Sequence, residues 1–242
     1  TGDDVMQYSL STAWDVSTAS FDSVTLDVSS EDGIPNGLVF SSDGTKLYIT
    51  GNSNNKIFQY DLSTAWDLST ANYASKSLSV QGSSPIEPFI HPSGTSIYNI
   101  DSDSETVYQY TMTTAFDLST ASYASKSINV NSQESLPTSL VFSSDGTKMF
   151  VAGQTGDDIN QYTLSTAWDV STASFDNLVF DSSSQAVNPS GIDLKSDGTK
   201  LYMISNSNDT VYQYSLTSSA TPPVLLNFQD AGIYDRSGIN NI

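Results

Sequence analysis

The dipeptide Gln-Tyr starts at Gln7, Gln59, Gln109, Gln161 and Gln213, in steps of 52, 50, 52 and 52 residues. A period of this length, held across almost the whole chain, constrains the fold more than any other feature. Four of the copies run on nearly unchanged, as QYSLSTAWDVSTASF, QYDLSTAWDLSTANY, QYTMTTAFDLSTASY and QYTLSTAWDVSTASF. A second block alternates with them. GLVFSSDGTKLYIT begins at Gly37, SLVFSSDGTKMFVA at Ser139 and GIDLKSDGTKLYMI at Gly191, while the copy from Pro88, PFIHPSGTSIYNI, is degenerate. A proline precedes each block, at Pro35, Pro85, Pro137 and Pro189. The repeat units run over about 7–58, 59–108, 109–160 and 161–212.

Each period holds four short segments with strand character: A (Gly37 to Phe40), B (Lys46 to Thr50), C (Lys56 to Leu62) and D (Tyr73 to Val80). Segment B alternates apolar and polar residues, and C is rich in β-formers. Ser-Asp-Gly-Thr between A and B is a tight-turn sequence in which Gly supplies the positive φ. No stretch sustains 3.6-residue apolar periodicity, so helices are minor. Four antiparallel strands per repeat predict an all-β fold, a β-propeller of four-stranded blades, over residues 1–216. A parallel β-solenoid is the rival, but its coils are shorter and lack hairpin turns. There are five C segments against four each of A, B and D, so the first C strand reads as a start in mid-blade. Either the N-terminal D strand completes the last A-B-C set, or further blades lie upstream. The redundant C strand favours the second.

Composition narrows the function. With 27 acidic residues against 8 Lys and Arg, the net charge is −19. The basic residues are scattered, which argues against nucleic acid as a partner. No apolar run approaches a membrane span, so insertion into a membrane is not expected. Cysteine is absent and His91 is the only histidine, which removes thiol chemistry and His-rich zinc sites. No nucleotide fingerprint and no G-x-S-x-G elbow is present. The high Ser, Thr, Asn and Asp content with little Lys reads as an extracellular or virion-surface protein.

At SLVFSSDGTKMFVAGQTGDDINQYTL the sequence resembles the propeller repeats with a DGTKLYV core found in YVTN-type and NHL-like surface proteins. The LSTAWDVSTASF element is similar to a long-repeat variety in tail-fibre and adhesin-like proteins of marine phages and bacteria. The resemblance spans about residues 5–217 and implies a propeller that adheres rather than catalyses. In the second repeat His91, Pro92 and Ser93 replace Ser-Ser-Asp, which leaves that A–B turn in doubt. Residues 217–223 read as a linker. Residues 224–242 are similar to the opening strand of a laminin-G or concanavalin-A-like sandwich.

Two sets of residues are candidate sites. Trp14, Trp66, Phe116 and Trp168 share one repeat position, each followed by an acid, Asp15, Asp67, Asp117 or Asp169. The aromatics suit plugs between blades, where large rings bury most area, or a platform for sugar rings. The acids suit side-chain-to-backbone turn bonds. The second set lies on the D–A and B–C loops: Asp32, Asn52, Asn54, Asp101, Asp103, Glu105, Gln133, Asp157, Asp158, Asn206 and Asp209. Their amides and carboxylates suit hydrogen bonding to a glycan. Asp101, Asp103 and Glu105 offer oxygen ligands for Ca²⁺, although no cofactor is required. The expected function is recognition of a glycan or cell-surface receptor by a non-enzymatic propeller. One alternative is an architectural module contacting other subunits of a virion or surface assembly. Another is a hydrolase using paired carboxylates.

Overall fold

The computed structural model describes residues 3–216 and 232–234. The chain forms an all-β propeller of four-stranded antiparallel blades, preceded by a two-stranded sheet of β1 (Asp4–Leu10) and β2 (Ala19–Asp27). The first blade comprises β3 (Pro35–Phe40), β4 (Lys46–Gly51), β5 (Lys56–Leu62) and β6 (Ala71–Ser79). The second comprises β7 (Pro85–Ile90), β8 (Ser96–Asp101), β9 (Thr106–Met112) and β10 (Ala121–Asn129). The third comprises β11 (Pro137–Phe142), β12 (Lys148–Gly153), β13 (Asp158–Leu164) and β14 (Ala173–Asp181). The fourth comprises β15 (Pro189–Leu194), β16 (Lys200–Ser205), β17 (Thr210–Ser215) and β18 (Gly232–Tyr234). Every blade is a meander in the order A-B-C-D.

The N-terminal D strand, β2, pairs with β1, and β18 takes the fourth place beside β17. The laminin-G-like reading of 224–242 otherwise lies outside the described residues, as does the linker at 217–223. The degenerate turn of the second blade keeps the shape of its relatives. Gly94 has φ +71 against +69 at Gly44; Ser93 stands where the other turns have aspartate, with its hydroxyl 2.8 Å from that of Thr95, and the His91 imidazole Nδ1 accepts from the Ser93 N–H at 3.0 Å.

The chain divides into two compact units, Thr1–Tyr8 with Phe21–Asn129, and Ser9–Ser20 with Val130–Ile242. Within the first unit, neighbouring sheets pack through two apolar clusters. Val5, Val24 and Leu26 of β1 and β2 lie against Leu47, Phe58, Tyr60 and Leu62 of the first blade. The opposite face of that blade, with Tyr48 and Ile57, meets Ile90, Ile97 and Tyr110 of the second. Blades therefore bury apolar residues on both faces.

The glutamine of three Gln-Tyr pairs, Gln7, Gln59 and Gln213, locks one sheet to its neighbour. Gln7 Oε1 accepts from the Leu68 N–H and Gln59 Oε1 from the Leu118 N–H, both at 2.9 Å. In the second unit Gln213 Oε1 accepts from the Val16 N–H at 3.2 Å. The acceptor is a C-strand amide and the donor is the first residue of a 3-10 turn in the C–D loop. Replacing Gln59 by Leu keeps side-chain volume but orphans a buried N–H. Gln59→Leu is expected to cost about 1–3 kcal/mol, read from urea unfolding of the whole chain.

Candidate functional site

Antiparallel strands place the A–B turn and the C–D loop at one end of a blade and the B–C and D–A loops at the other. The candidate residues divide between these ends.

At the B–C/D–A end, the acids are occupied by backbone. Buried Asp32 accepts from the Ile34 N–H (2.9 Å) and the Ser53 N–H (3.1 Å) through Oδ1, and from the Asn54 N–H (2.9 Å) through Oδ2. It ties the D–A loop to the B–C loop of the first blade. In the second blade Asp101 performs the same task from the other loop. Its carboxylate accepts from the Ser84 N–H (2.7 Å), the Ser104 N–H (2.9 Å) and the Ser104 hydroxyl (2.7 Å). In the third, Glu134 accepts from the Leu136 N–H (2.6 Å) and the Thr155 N–H (3.1 Å). Facing each acid is a glycine with no room for a side chain. A Cβ on Gly51 would lie 2.3 Å from Asp32 Cγ, one on Gly82 2.2 Å from Asp101 Oδ2, and one on Gly153 2.0 Å from Glu134 Cδ. Acid and glycine thus exchange ends between blades while the carboxylate stays in place. The fourth blade has Ala186 and Ser205 at these positions, and the Ser205 hydroxyl donates to the Val187 carbonyl.

The remaining loop candidates are drawn into the same frame. Asn52 N–H donates to the Ile34 carbonyl and Asn206 N–H to that of Asn188. Asn54 Nδ2 donates to the Glu31 carbonyl. Asp103 accepts from the Ser83 hydroxyl at 2.8 Å, and Gln133 Oε1 from the Tyr162 hydroxyl at 3.3 Å. Asp157 Oδ1 accepts from the Asn188 N–H at 2.7 Å. Glu105, Asp157 and Asp209 share a turn position with φ between +46 and +52, where Asp and Asn are tolerated better than most residues. Asp101, Asp103 and Glu105 do not converge. Among the described residues no three acidic or histidine side chains gather as a metal-binding set.

Asp158 differs electrostatically from the rest. Burial first, then the Glu134 carboxylate, push its carboxyl up to about 6, with Asp181 and Asp157 adding and the Asn160 amide opposing. Because the folded value exceeds the unfolded one, this group stabilises the fold most fully below about pH 4 and that contribution is lost as pH rises through about 6. Asp158→Asn is therefore expected to raise Tm above about pH 7 and leave it little changed near about pH 4, read from melts across that range.

At the other end sit the repeated aromatics. Trp14, Trp66, Phe116 and Trp168 have φ from +60 to +66, a left-handed conformation that costs a bulky residue about 1–3 kcal/mol. Two contacts hold it. The Trp66 N–H donates to the Gly44 carbonyl at 3.0 Å, with equivalent bonds from Phe116 to Gly94 and Trp168 to Gly146. The ring then covers that glycine so closely that a Cβ on Gly44 would lie 2.3 Å from Trp66 Cε2. Phe40 lies 5.2 Å from Trp66 and Phe142 5.5 Å from Trp168, centroid to centroid. The rings of Trp66, Phe116 and Trp168 cap the A–B turn of their own blade, and Phe116 also packs against the apolar cluster between the first and second blades. The backbone of this position meets the preceding blade too, for Tyr48 Oη donates to the Phe116 carbonyl at 2.9 Å. Trp14 lies 6.5 Å from Tyr202, with the Lys195 ammonium 5.7 Å from its ring. Trp66 stays 53% exposed and Trp14 45%.

The aspartate after each aromatic caps the 3-10 turn. Asp67 Oδ1 accepts from the Ser69 N–H at 3.0 Å and the Ser69 hydroxyl at 2.6 Å, and Asp15, Asp117 and Asp169 repeat this with Ser17, Ser119 and Ser171. The Ser17 bonds hold Asp15 below the usual carboxylate range, and the Ser119 hydroxyl followed by Lys76 does so for Asp117. In the A–B turn, Asp43 is held at about 2 by the Ser41 hydroxyl and by Thr45. Each ring is thus followed by a carboxylate held in place by backbone and hydroxyl donors.

No family model and no curated sequence matches the chain. Solved structures do, at low identity. A protein of unknown function from Desulfotomaculum acetoxidans aligns over 96% of this chain at 13% identity with a TM-score of 0.57. A Bacteroides uniformis protein provisionally assigned as a 6-phosphogluconolactonase aligns over 97% at 14% identity and TM-score 0.59. The periplasmic gluconolactonase of Pseudomonas aeruginosa aligns over 81% at 12% identity and TM-score 0.53. The chain spans 64%, 69% and 53% of these three proteins.

The acid–glycine exchange allows a direct test. Asp32→Gly or Gly51→Asp alone is expected to cost about 2–3 kcal/mol, by lost charge-assisted bonds or by collision of two acids. The double variant recreates the second blade's arrangement and is expected to recover most of that loss in chemical unfolding. At these identities the likeness to known structures establishes the fold alone, a β-propeller.

Proposed function

We propose that this chain is a non-enzymatic recognition propeller of an extracellular or virion surface, binding glycans through its exposed aromatics. The observation that carries the reading is the half-exposed indole of Trp66, fixed over a glycine turn in a left-handed conformation. Rigid aromatic surface open to solvent at a repeated position suits the apolar C–H face of a sugar ring, since little entropy is lost on stacking. Asp43 and Asp67 lie in the two loops that frame the ring and offer acceptors for sugar hydroxyls. The B–C/D–A end supports this role less well, because its acids and amides are spent on holding loops together.

A sugar-lactone hydrolase is the competing reading, suggested by the gluconolactonase names of two solved neighbours. Fold likeness alone carries it.

Binding of the purified chain to a glycan array and to host cells tests the proposal. Trp66→Ala is expected to weaken a bound glycan about tenfold, the worth of one stacked ring. Trp66→Phe, which restores the cover that Phe116 gives the second blade, is expected to keep the fold and part of the affinity. Binding only to copies of itself or to partner subunits would favour the architectural role. Lactone turnover abolished by a single Asp or Glu change would replace the proposal with the hydrolase.

A further inference from the structure

Three acids clasp the D–A loop to the B–C loop of their blades, and two of them are satisfied on both carboxylate oxygens. Asp32 Oδ1 accepts from the Ile34 and Ser53 N–H groups, and Oδ2 from that of Asn54. Asp101 accepts from the Ser84 N–H on Oδ2 and from the Ser104 N–H and hydroxyl on Oδ1. Glu134 differs. Its Oε1 accepts from Leu136 and Thr155, but no donor among the described residues reaches Oε2, although the side chain is fully buried. In the first blade the Asn54 N–H serves this second oxygen, and Gly156 holds the Asn54 position in the third. A buried carboxylate oxygen without a donor is costly, so the arrangement calls for one.

Asp158 stands where that donor is needed. It pairs with Gly153 across β12 and β13, and directly opposed residues project from the same face of a sheet. A Cβ on Gly153 would lie 2.3 Å from Glu134 Oε2, so Asp158 shares a face with that oxygen. Asp158 Oδ1 accepts from the Asn160 amide at 2.6 Å, while Oδ2 fills the space left by Gly156, where a Cβ would lie 2.4 Å from it. The same strand position is Lys56 in the first blade, Thr106 in the second and Thr210 in the fourth. The third alone sets a second acid beside the first. The other charged groups that face Asp158 are acids as well. Asp157 is engaged by the Asn188 N–H, and Asp181, opposite on β14, by the Ser183 N–H. Tyr162, further along β13, is kept neutral by burial and by the charge of Glu134 and Asp158.

We propose that Glu134 and Asp158 hold one proton between them, with the Asp158 Oδ2–H donating to Glu134 Oε2, and that this proton closes the D–A loop onto the B–C loop of the third blade. Its loss leaves a buried oxygen unsatisfied and sets two like charges side by side, which opens the clasp. Burial and the Glu134 carboxylate raise Asp158 to about 6. Because that folded value lies above the unfolded one, the clasp is held at lower pH and lost as pH rises through about 6. The first two blades, with both oxygens satisfied by backbone or hydroxyl donors, stay closed on either side of that value.

Amide hydrogen exchange of the whole chain between about pH 5 and pH 8 tests this. Protection of Leu136 and Thr155 is expected to fall about tenfold or more across that range relative to Ile34 and Ser53, whose acceptor is Asp32. Taking the ratio cancels the intrinsic pH dependence of exchange. Asp158→Asn, whose amide donates to Oε2 at every pH, is expected to keep that ratio high and level. Asp158→Lys, which copies the first blade, is expected to do the same. A ratio that stays level in the unaltered chain would overturn the proposal. So would a fall that persists in folded Asp158→Asn, because the proton lost would then belong to another group.

Discussion

A single amide carbonyl, repeated at fixed intervals, makes these sheets a stack of interdependent blades. A four-stranded sheet with apolar residues on both faces cannot bury them alone. Apolar packing between flat faces has little directional preference, so it leaves sliding of one sheet over the next weakly opposed. The glutamine of the Gln-Tyr pair supplies the missing direction. Gln59 reaches across to one particular N–H, at Leu118, and that donor sits in a turn whose geometry is fixed by Asp117 and Ser119. Packing between the sheets and the form of the C–D loop are thereby linked. The tryptophan position inherits its strained backbone from the same loop, since the turn that presents the N–H to glutamine begins immediately after the residue at positive φ.

The loops at the opposite end obey a different constraint. A loop that runs over a blade edge exposes its own N–H groups, and buried ones need acceptors. One carboxylate per blade meets this need for the first three, whether it comes from Asp32, Asp101 or Glu134. Space allows only one side chain, so glycine stands opposite. The acidity of the chain is in this respect structural. Several of its acids are internal acceptors for backbone, and their number follows from the number of loops.

Much of this was legible in the repeats. The period, the four segments A to D and the glycine turns follow from spacing and turn chemistry, and the observed strands begin and end within a few residues of those expected. The loop acids show where sequence reasoning stops. Asp32 and Asp101 look like exposed polar loop residues because burial of a carboxylate by surrounding N–H groups leaves no compositional mark. Glu134 was missed for the same reason, although one signal was available. Three residues before each proline the repeats read Asp, Gly, Glu, Ala, and at the end of the B strand Gly, Asp, Gly, Ser. Those two columns, read together, show the acid changing places. The aromatics invite a different error. A large ring at a repeated position suggests a core plug, and only the positive φ with a glycine beneath explains why Trp66 stays half in water.

The exchange of acid and glycine has a consequence for how such blades can be recombined. A crossover between the second blade and the first or third preserves the carboxylate only when both loops travel together. A junction within the A–B hairpin would there join the D–A loop of one blade to the B–C loop of the other, giving two acids in one space or none. A junction in the C–D loop leaves the pair intact. The heritable module in this chain therefore runs from the end of one D strand through the next B–C turn. It is offset from the sequence period that begins at Gln-Tyr, and chimaeras assembled on that visible period respect the boundary only because their junctions fall in the C strand.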